Sequence, residues 1–225
     1  MKTDYSTDYS IKEIPKQQTY EWFLYKHYAH RIPSISFSYG LFKNNELVGV
    51  CTYGTPASST LLNGICGKEY SQSVKELNRL VLDDNRKNLA SFFIAKTFKL
   101  LPTPLIIVSY ADTSQNHIGY VYQALNFIYT GLSSKFLDPK VKGLERQHHA
   151  TYAHGMNNKQ LKDKFGDKLY FKERARKHRY IIFIGNKTEK KQMFKNLKYK
   201  IFPYPKGDNK NYDASYKPTI QKTLF

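Results

Sequence analysis

The stretch Pro104–Gly131, PLIIVSYADTSQNHIGYVYQALNFIYTG, decides the fold. Leu105–Val108 is a short apolar run rich in β-branched residues, with prolines before it, and predicts a buried strand. The polar turn SYADTSQN follows. His117–Asn126 is amphipathic and predicts a helix, and Phe127–Thr130 predicts a second strand. In α/β proteins ligands gather at the carboxyl ends of strands, so a strand, polar loop and helix in this order expose chemistry. Asp112, His117, Tyr120 and Tyr122 all fall in that segment.

Upstream, Thr19–Tyr28, TYEWFLYKHY, predicts a short helix capped by Thr19 and stopped before Pro33, which places His27, Tyr28 and His30 at a helix end. Ser34–Phe42 and Leu47–Tyr53 predict a hairpin around Lys43-Asn44-Asn45-Glu46. Gly54–Tyr70 reads as loop, and the second half of Val74–Leu82 as strand. Asn88 is a predicted N-cap for a helix over Leu89–Leu101, and the Asp83–Asn88 loop leading into it is an anion site in form. Downstream, residues 132–179 are poorly patterned, Tyr180–Ile184 predicts a strand, Thr188–Lys198 a basic helix, and the remainder is a basic, aromatic tail.

The 225 residues carry a formal charge of +18, unevenly spread. Residues 1–134 hold 13 Lys/Arg and 10 Asp/Glu, whereas residues 135–225 hold 23 and 8. This division predicts a near-neutral globular core over 1–134 and a basic nucleic-acid-binding part over 135–225, packed on the core or continuing it. Solvated lysines alone explain part of such a charge. Aromatic residues interleaved with Arg174, Arg176, Lys177 and Arg179 favour phosphate contact. Two cysteines, Cys51 and Cys66, form no disulfide framework or metal motif, and no apolar run reaches membrane-spanning length. The expected location is the cytoplasm, with no membrane partner.

The order of elements resembles the GCN5-related acetyltransferase (GNAT) fold, an α/β architecture with a mixed central sheet flanked by helices, here with a basic C-terminal extension. Tyr122–Phe127, YQALNF, is similar to the Y-x-x-x-G-F that closes the fourth GNAT helix, with Asn126 in place of glycine. Asn78–Ser91, NRLVLDDNRKNLAS, stands where the acetyl-CoA pyrophosphate loop is expected, which marks Asn88, Ala90 and Ser91 as donor-binding positions. The usual glycines, which let backbone amides approach a pyrophosphate, are absent.

A closer resemblance runs in blocks from about His27 to Gly131: KHYAHRIPS, ELNRLVLDDN, SFFIAKTFKLLP and VSYADTSQNHIGYVYQALNFIYTG are similar to the phage Mom family. That family hypermodifies adenine in phage DNA, giving an N6-carbamoylmethyl (acetamido) base that host restriction enzymes do not cut. The resemblance implies active-site roles for His27, Tyr28, Asp112 and Tyr122, with Arg79 as a further match. It also suggests an iron requirement. His27, Tyr28, Asp112 and Tyr122 are the N/O donors for iron, although no metal spacing singles them out.

The chemistry sets the remaining expectations. Adenine's exocyclic amine is a weak nucleophile, so acyl transfer to it needs positioning and proton removal. Asp112 is the expected base or orienting acceptor; its alternative is to cap the following helix. Tyr122 is the expected acid, or else a core hydroxyl bonded to backbone. Arg79 and Ser109 are assigned to substrate, Arg79 competing with a salt bridge to Asp83 or Asp84. His27, Tyr28, Tyr110 and Tyr120 are candidates to stack on a base flipped out of duplex DNA. The donor is glycyl-tRNA or acetyl-CoA, so tRNA joins DNA as an expected partner. A protein or small-amine N-acetyltransferase and a non-catalytic nucleic-acid-binding module are the competing classes.

Overall fold

A computed structural model describes residues 5, 7–84, 86–145, 149–153 and 155–207, without the side chains of residues 149 and 150. Strands β1 (Tyr9–Glu13), β2 (Phe37–Lys43), β3 (Glu46–Gly54), β4 (Val74–Leu82), β5 (Leu105–Asp112), β6 (Ile128–Leu132) and β9 (Lys177–Ile184) form one twisted sheet. Its order is β1-β2-β3-β4-β5-β9-β6. Every pairing is antiparallel except β4 with β5. Strands β7 (Leu137–Val141) and β8 (Leu169–Glu173) form a separate two-stranded ribbon. Thus β9, from the basic part of the chain, fills the sheet interior between β5 and β6.

Helices cover both faces. On one, α2 (Leu89–Thr97) and α3 (Tyr120–Ala124) pack with Leu77, Ile107, Ala111 and Tyr180. On the other, Ile65 at the end of α1 (Ser59–Gly64) and Met193 of α6 (Lys187–Lys195) meet Val74, Ile106, Val108 and Ile181. Beside them Trp22 and Phe23 cover Val50 and Val81. The alternation along β5 and β9 is therefore apolar on both sides, as a doubly covered sheet requires. Each fully buried Phe or Ile of these clusters contributes roughly 1.5–3 kcal/mol.

The hairpin turn is as the sequence predicts: Asn44 and Asn45 both take positive φ, which suits the right-handed twist of the strands. Asn126, at the glycine position of the family pattern, has φ 58°, a conformation asparagine tolerates better than most residues. Gly119, with φ 83°, opens α3 against Tyr180; a Cβ there would lie 2.5 Å from the Tyr180 ring.

Other local expectations are corrected. Thr19 caps nothing: it ends a 3-10 turn over Lys16–Thr19, with its hydroxyl on the Lys16 carbonyl. The helix after it is a single π turn, Trp22–Lys26. Asn88 is left-handed and makes no side-chain cap; its carbonyl instead accepts from Phe92 N and Ser91 Oγ. Gly54–Tyr70 is not all loop but contains α1, capped by Ser58. The poorly patterned segment holds β7, β8, α4 (His149–Ala153) and α5 (Asn158–Phe165), which share a small core of Val141, Tyr152, Ala153 and Leu161. Much of the basic tail, residues 208–225, lies outside the described residues.

Candidate active site

The one parallel pairing is short. β4 and β5 are hydrogen-bonded only where Val74–Glu76 meets Ile106–Val108. Beyond Glu76, β4 stays with β3 and β5 stays with β9, so a fork opens inside the sheet. Across β3 the register slips so that Tyr53 faces Leu77 and Thr52 faces Arg79. Asn78 is the extra, bulged residue; its amide ties Thr52 Oγ1 at 2.8 Å to the Ser34 carbonyl at 2.7 Å. At the base of the fork, buried Ser109 donates to the Leu77 carbonyl at 2.9 Å.

Asp112 ends β5 beside the fork. Its Oδ1 accepts from Ser114 N at 2.9 Å and Ser114 Oγ at 2.7 Å, and its Oδ2 lies 3.3 Å from Lys177 Nζ, its cross-strand neighbour. Burial alone would raise this carboxyl, but the Ser114 hydrogen bonds and the Lys177 charge together hold it below its ordinary value. Asp112 is therefore an ionised acceptor. It also caps the 3-10 turn Thr113–Gln115, so capping, one of the sequence alternatives, is met one turn earlier than predicted.

The π turn delivers His27 and Tyr28 to the same region. Their rings stack with centroids 4.4 Å apart, and Tyr28 meets His117 edge-on at 6.2 Å. Half of Tyr28 is exposed. His27 Nδ1 accepts from Ala29 N at 3.0 Å, which requires an unprotonated nitrogen. Burial and the charge of Arg79 lower its pKa to about 3. Burial, then the Asp112 charge, raise the Tyr28 hydroxyl. A neutral imidazole and a neutral phenol thus form a flat, partly open platform.

Arg79 pairs with neither Asp83 nor Asp84. Asp83 holds Lys26 at 2.6 Å and Asp84 holds Arg86 at 2.6 Å. The Arg79 guanidinium donates to the Asn78 carbonyl at 2.7 Å and the Arg31 carbonyl at 3.4 Å, while its buried Nε has no hydrogen-bond partner among the described residues. A buried donor without a partner is costly and fits an acceptor supplied from outside.

Glu76, which the sequence did not single out, sits at the fork. Burial raises its carboxyl against the opposing charges of Lys177, Arg79 and Arg31. Only the pairing register reveals it, because the β4–β5 contact ends at this residue. Tyr110 neighbours it, its hydroxyl pushed up by burial and by the Glu76 charge. Tyr110 packs at the edge of the apolar cluster beneath, with Arg179 as its cross-strand neighbour.

Tyr122 lies on the α2–α3 face. Its ring packs 5.3 Å from both Phe127 and Tyr180, and burial, partly offset by the Ser109 hydroxyl, pushes its pKa to about 12. A tyrosine so protonated can donate but not act as base. The Tyr120 hydroxyl is buried without a partner among the described residues. Tyr28 feels the charges of Asp112 and Arg79, and Tyr122 those of Tyr28 and Glu76, so fork, platform, carboxylates and Tyr122 lie near one another.

The remaining predicted residues are differently placed. Of the donor-binding group, Ser91 spends its hydroxyl on the Asn88 carbonyl, and the loop before α2 carries Asp83 and Asp84 rather than a row of glycines. Of the basic group, Arg174 forks onto Asp138 (Nε to Oδ2 2.9 Å), Arg176 donates to the Ser133 carbonyl at 2.6 Å, and Arg179 donates to Thr130 Oγ1 at 2.8 Å while lying over the Tyr199 ring. These arginines, with Lys177 on Asp112, brace the protein's own frame. Among the described residues no three His, Cys, Asp or Glu side chains cluster as a metal site. Asp112 is already engaged by Ser114 and Lys177.

Comparison with known proteins places the chain. The Mom protein family matches residues 8–206. The methylcarbamoylase Mom of Escherichia phage Mu is 32% identical over 193 residues, which span 80% of this chain and 77% of that protein. Among solved structures, an N-acetyltransferase from Staphylococcus aureus Mu50 overlaps with a TM-score of 0.42 and 13% identity, covering 79% of this chain and 99% of its own. An acetyl-CoA-bound putative acetyltransferase from Salmonella typhimurium overlaps with a TM-score of 0.44 and 9% identity, covering 81% and 98%. The match over 8–206 takes in the π turn, the fork, Asp112, Tyr122 and the inserted β9. The chain belongs to the Mom protein family.

Proposed function

We propose that this protein modifies the exocyclic amine of adenine in DNA to the N6-carbamoylmethyl form and so protects phage DNA from restriction. The observation that carries the reading is the convergence, at the β4–β5 fork, of a neutral His27–Tyr28 platform, ionised Asp112, buried Glu76 and the unsatisfied Arg79 donor. A flipped adenine stacks on the platform and presents its amine to the fork. Asp112 orients that amine, Glu76 takes its proton as the acyl bond forms, and Tyr122 protonates the leaving oxygen from the opposite face.

The donor most consistent with the acid-lined, glycine-poor loop is an aminoacyl ester rather than a CoA thioester. With glycyl-tRNA, the adenine nitrogen attacks the ester carbonyl, the carbon–nitrogen bond forms, and the ribose hydroxyl leaves with a proton. The free glycyl amine then attacks C6 through a five-membered ring and loses a proton. The original C6–N6 bond breaks, and that nitrogen, gaining the proton, becomes the terminal amide. No oxidant or reductant enters. Acetyl-CoA lacks the nitrogen that this product requires.

The test is mass spectrometry of nucleosides from DNA of cells expressing the protein, followed by reconstitution with DNA and glycyl-tRNA. A deoxyadenosine heavier by a carbamoylmethyl group is expected, and none with Asp112→Ala. Acetylation of a protein or small amine from acetyl-CoA, with DNA unmodified, overturns the reading. Protection from restriction that survives Asp112→Ala points instead to a non-catalytic binding module.

A further inference from the structure

The ribbon β7–β8 takes no part in the site, yet its root lies beside it. Its two stems leave the sheet between β6 and β9. Ser133 N donates to the Lys177 carbonyl at 2.8 Å, and Lys177 N donates to Ser133 Oγ at 3.0 Å. Thr113, next to Asp112, donates its hydroxyl to the Arg176 carbonyl at 2.6 Å, and Arg174 N donates to the Phe136 carbonyl at 2.8 Å. The arm is thus braced at the rim of the fork. Leu137 lies four residues from Ser133, a reach of roughly 13 Å in extended chain.

Period-2 alternation gives the ribbon one apolar face. Leu137, Pro139 and Val141 share it with Leu169 and Phe171, since Pro139 opposes Phe171 and Val141 opposes Leu169. At the far end Val141 and Leu169 pack into the arm's own small core. At the near end, where Leu137 opposes Glu173, the face is open among the described residues: Leu137 is 65% exposed and Phe171 43%. Elsewhere on the arm Lys142, Lys159, Lys162, Lys164, Lys168 and Lys172 are exposed and, among the described residues, none forms an ion pair. An exposed apolar strip on an arm rich in unpaired lysines is matched by a partner that is anionic outside and apolar within.

We infer that the β7–β8 arm opens the duplex: Leu137 and Phe171 wedge against the base stack next to the target adenine while the arm's lysines hold the flanking phosphates. This inference rests on duplex DNA being the substrate. Apolar wedges of this kind unstack a base step, and the lost stacking is recovered in added protein contact. The fork offers a platform for a flipped base, and the arm offers an exposed apolar pair to displace it.

The experiment uses the full chain and a duplex carrying 2-aminopurine at the target adenine, whose fluorescence rises on unstacking. Wild type is expected to raise it at saturating protein. The double variant Leu137→Ser, Phe171→Ser is expected to lose at least about fivefold of that rise, yet match wild type when the target is mispaired and already unstacked. Replacing Lys162, Lys164 and Lys168 by Gln should reduce the salt slope of duplex binding by about 0.9 for each phosphate contact removed. The inference is overturned if wild type gives no rise, if the double variant opens the duplex as well as wild type, or if it loses the mispaired signal equally. Nucleoside mass spectrometry on parallel mixtures, with adenine restored at the target and glycyl-tRNA added, separates the two claims. Wild-type opening without modified adenine sinks the proposed reaction alone; modified adenine with opening unchanged in the variant sinks the arm alone.

Discussion

Replacing His27 by Asn is the sharpest test of the platform's charge state. The imidazole accepts the Ala29 amide through Nδ1 and has its pKa lowered to about 3, burial contributing most and Arg79 next. An unfolded histidine titrates near about 6.5. Between those values the unfolded chain binds a proton that the folded chain refuses, so folding stability falls as pH falls through this window. From pH 7 to pH 5 the linkage is about 2 kcal/mol, or about 1–2 kcal/mol once the ring's solvent-facing edge is allowed for. For a chain of this size that corresponds to a fall in Tm of roughly 2–8 °C. Asparagine keeps an acceptor near Nδ1 but cannot take up the proton. The assay is urea unfolding of wild type and His27→Asn at pH 7 and pH 5. Wild type should lose about 1–2 kcal/mol more than the variant. Equal losses would refute the neutral, buried His27 and with it the stacking platform. The same neutrality implies that no limb of the pH–rate profile between pH 5 and 8 belongs to His27.

Other outcomes follow from the fork. Asp112→Asn keeps an acceptor for Ser114 but loses the charge facing Lys177, so modified deoxyadenosine should fall about 100-fold or more with far-ultraviolet circular dichroism unchanged. Glu76→Gln should cut the rate by about 10²–10⁴ and remove the pH–rate limb that arises from its raised carboxyl, leaving DNA affinity within about twofold. Tyr122→Phe should slow transfer about 100-fold without changing substrate affinity, since only its hydroxyl is lost from the aromatic cluster. Glycine labelled with nitrogen-15 and carried on tRNA should place its label on the nitrogen bonded to purine C6; label in the terminal amide excludes the ring-closure route.

Much of this was written locally. The run Leu105–Val108, the paired asparagines at 44 and 45, the helical period over 89–101, of which Leu89–Thr97 is helix, and the family pattern ending at Phe127 each draw on near neighbours, and they yield the mixed sheet with helices on both faces. The family resemblance, rather than local pattern, implied one site for His27, Tyr28, Asp112 and Tyr122, which three separate segments supply. What adjacency could not supply was the partnering. Whether Arg174, Arg176 and Arg179 face phosphate or brace backbone depends on Asp138, Ser133 and Thr130, each more than thirty residues away in the chain. Glu76 is unremarkable in VKELNRLVL and becomes chemical only because the β4–β5 ladder stops at it. The place of β9 inside the sheet, and of an amphipathic arm at the rim of the fork, follows from pairings across 28–79 residues. Residue type and short-range period determine which segments form strands and helices; hydrogen-bond register and burial, which exist only in the assembled sheet, decide which side chains remain free to act.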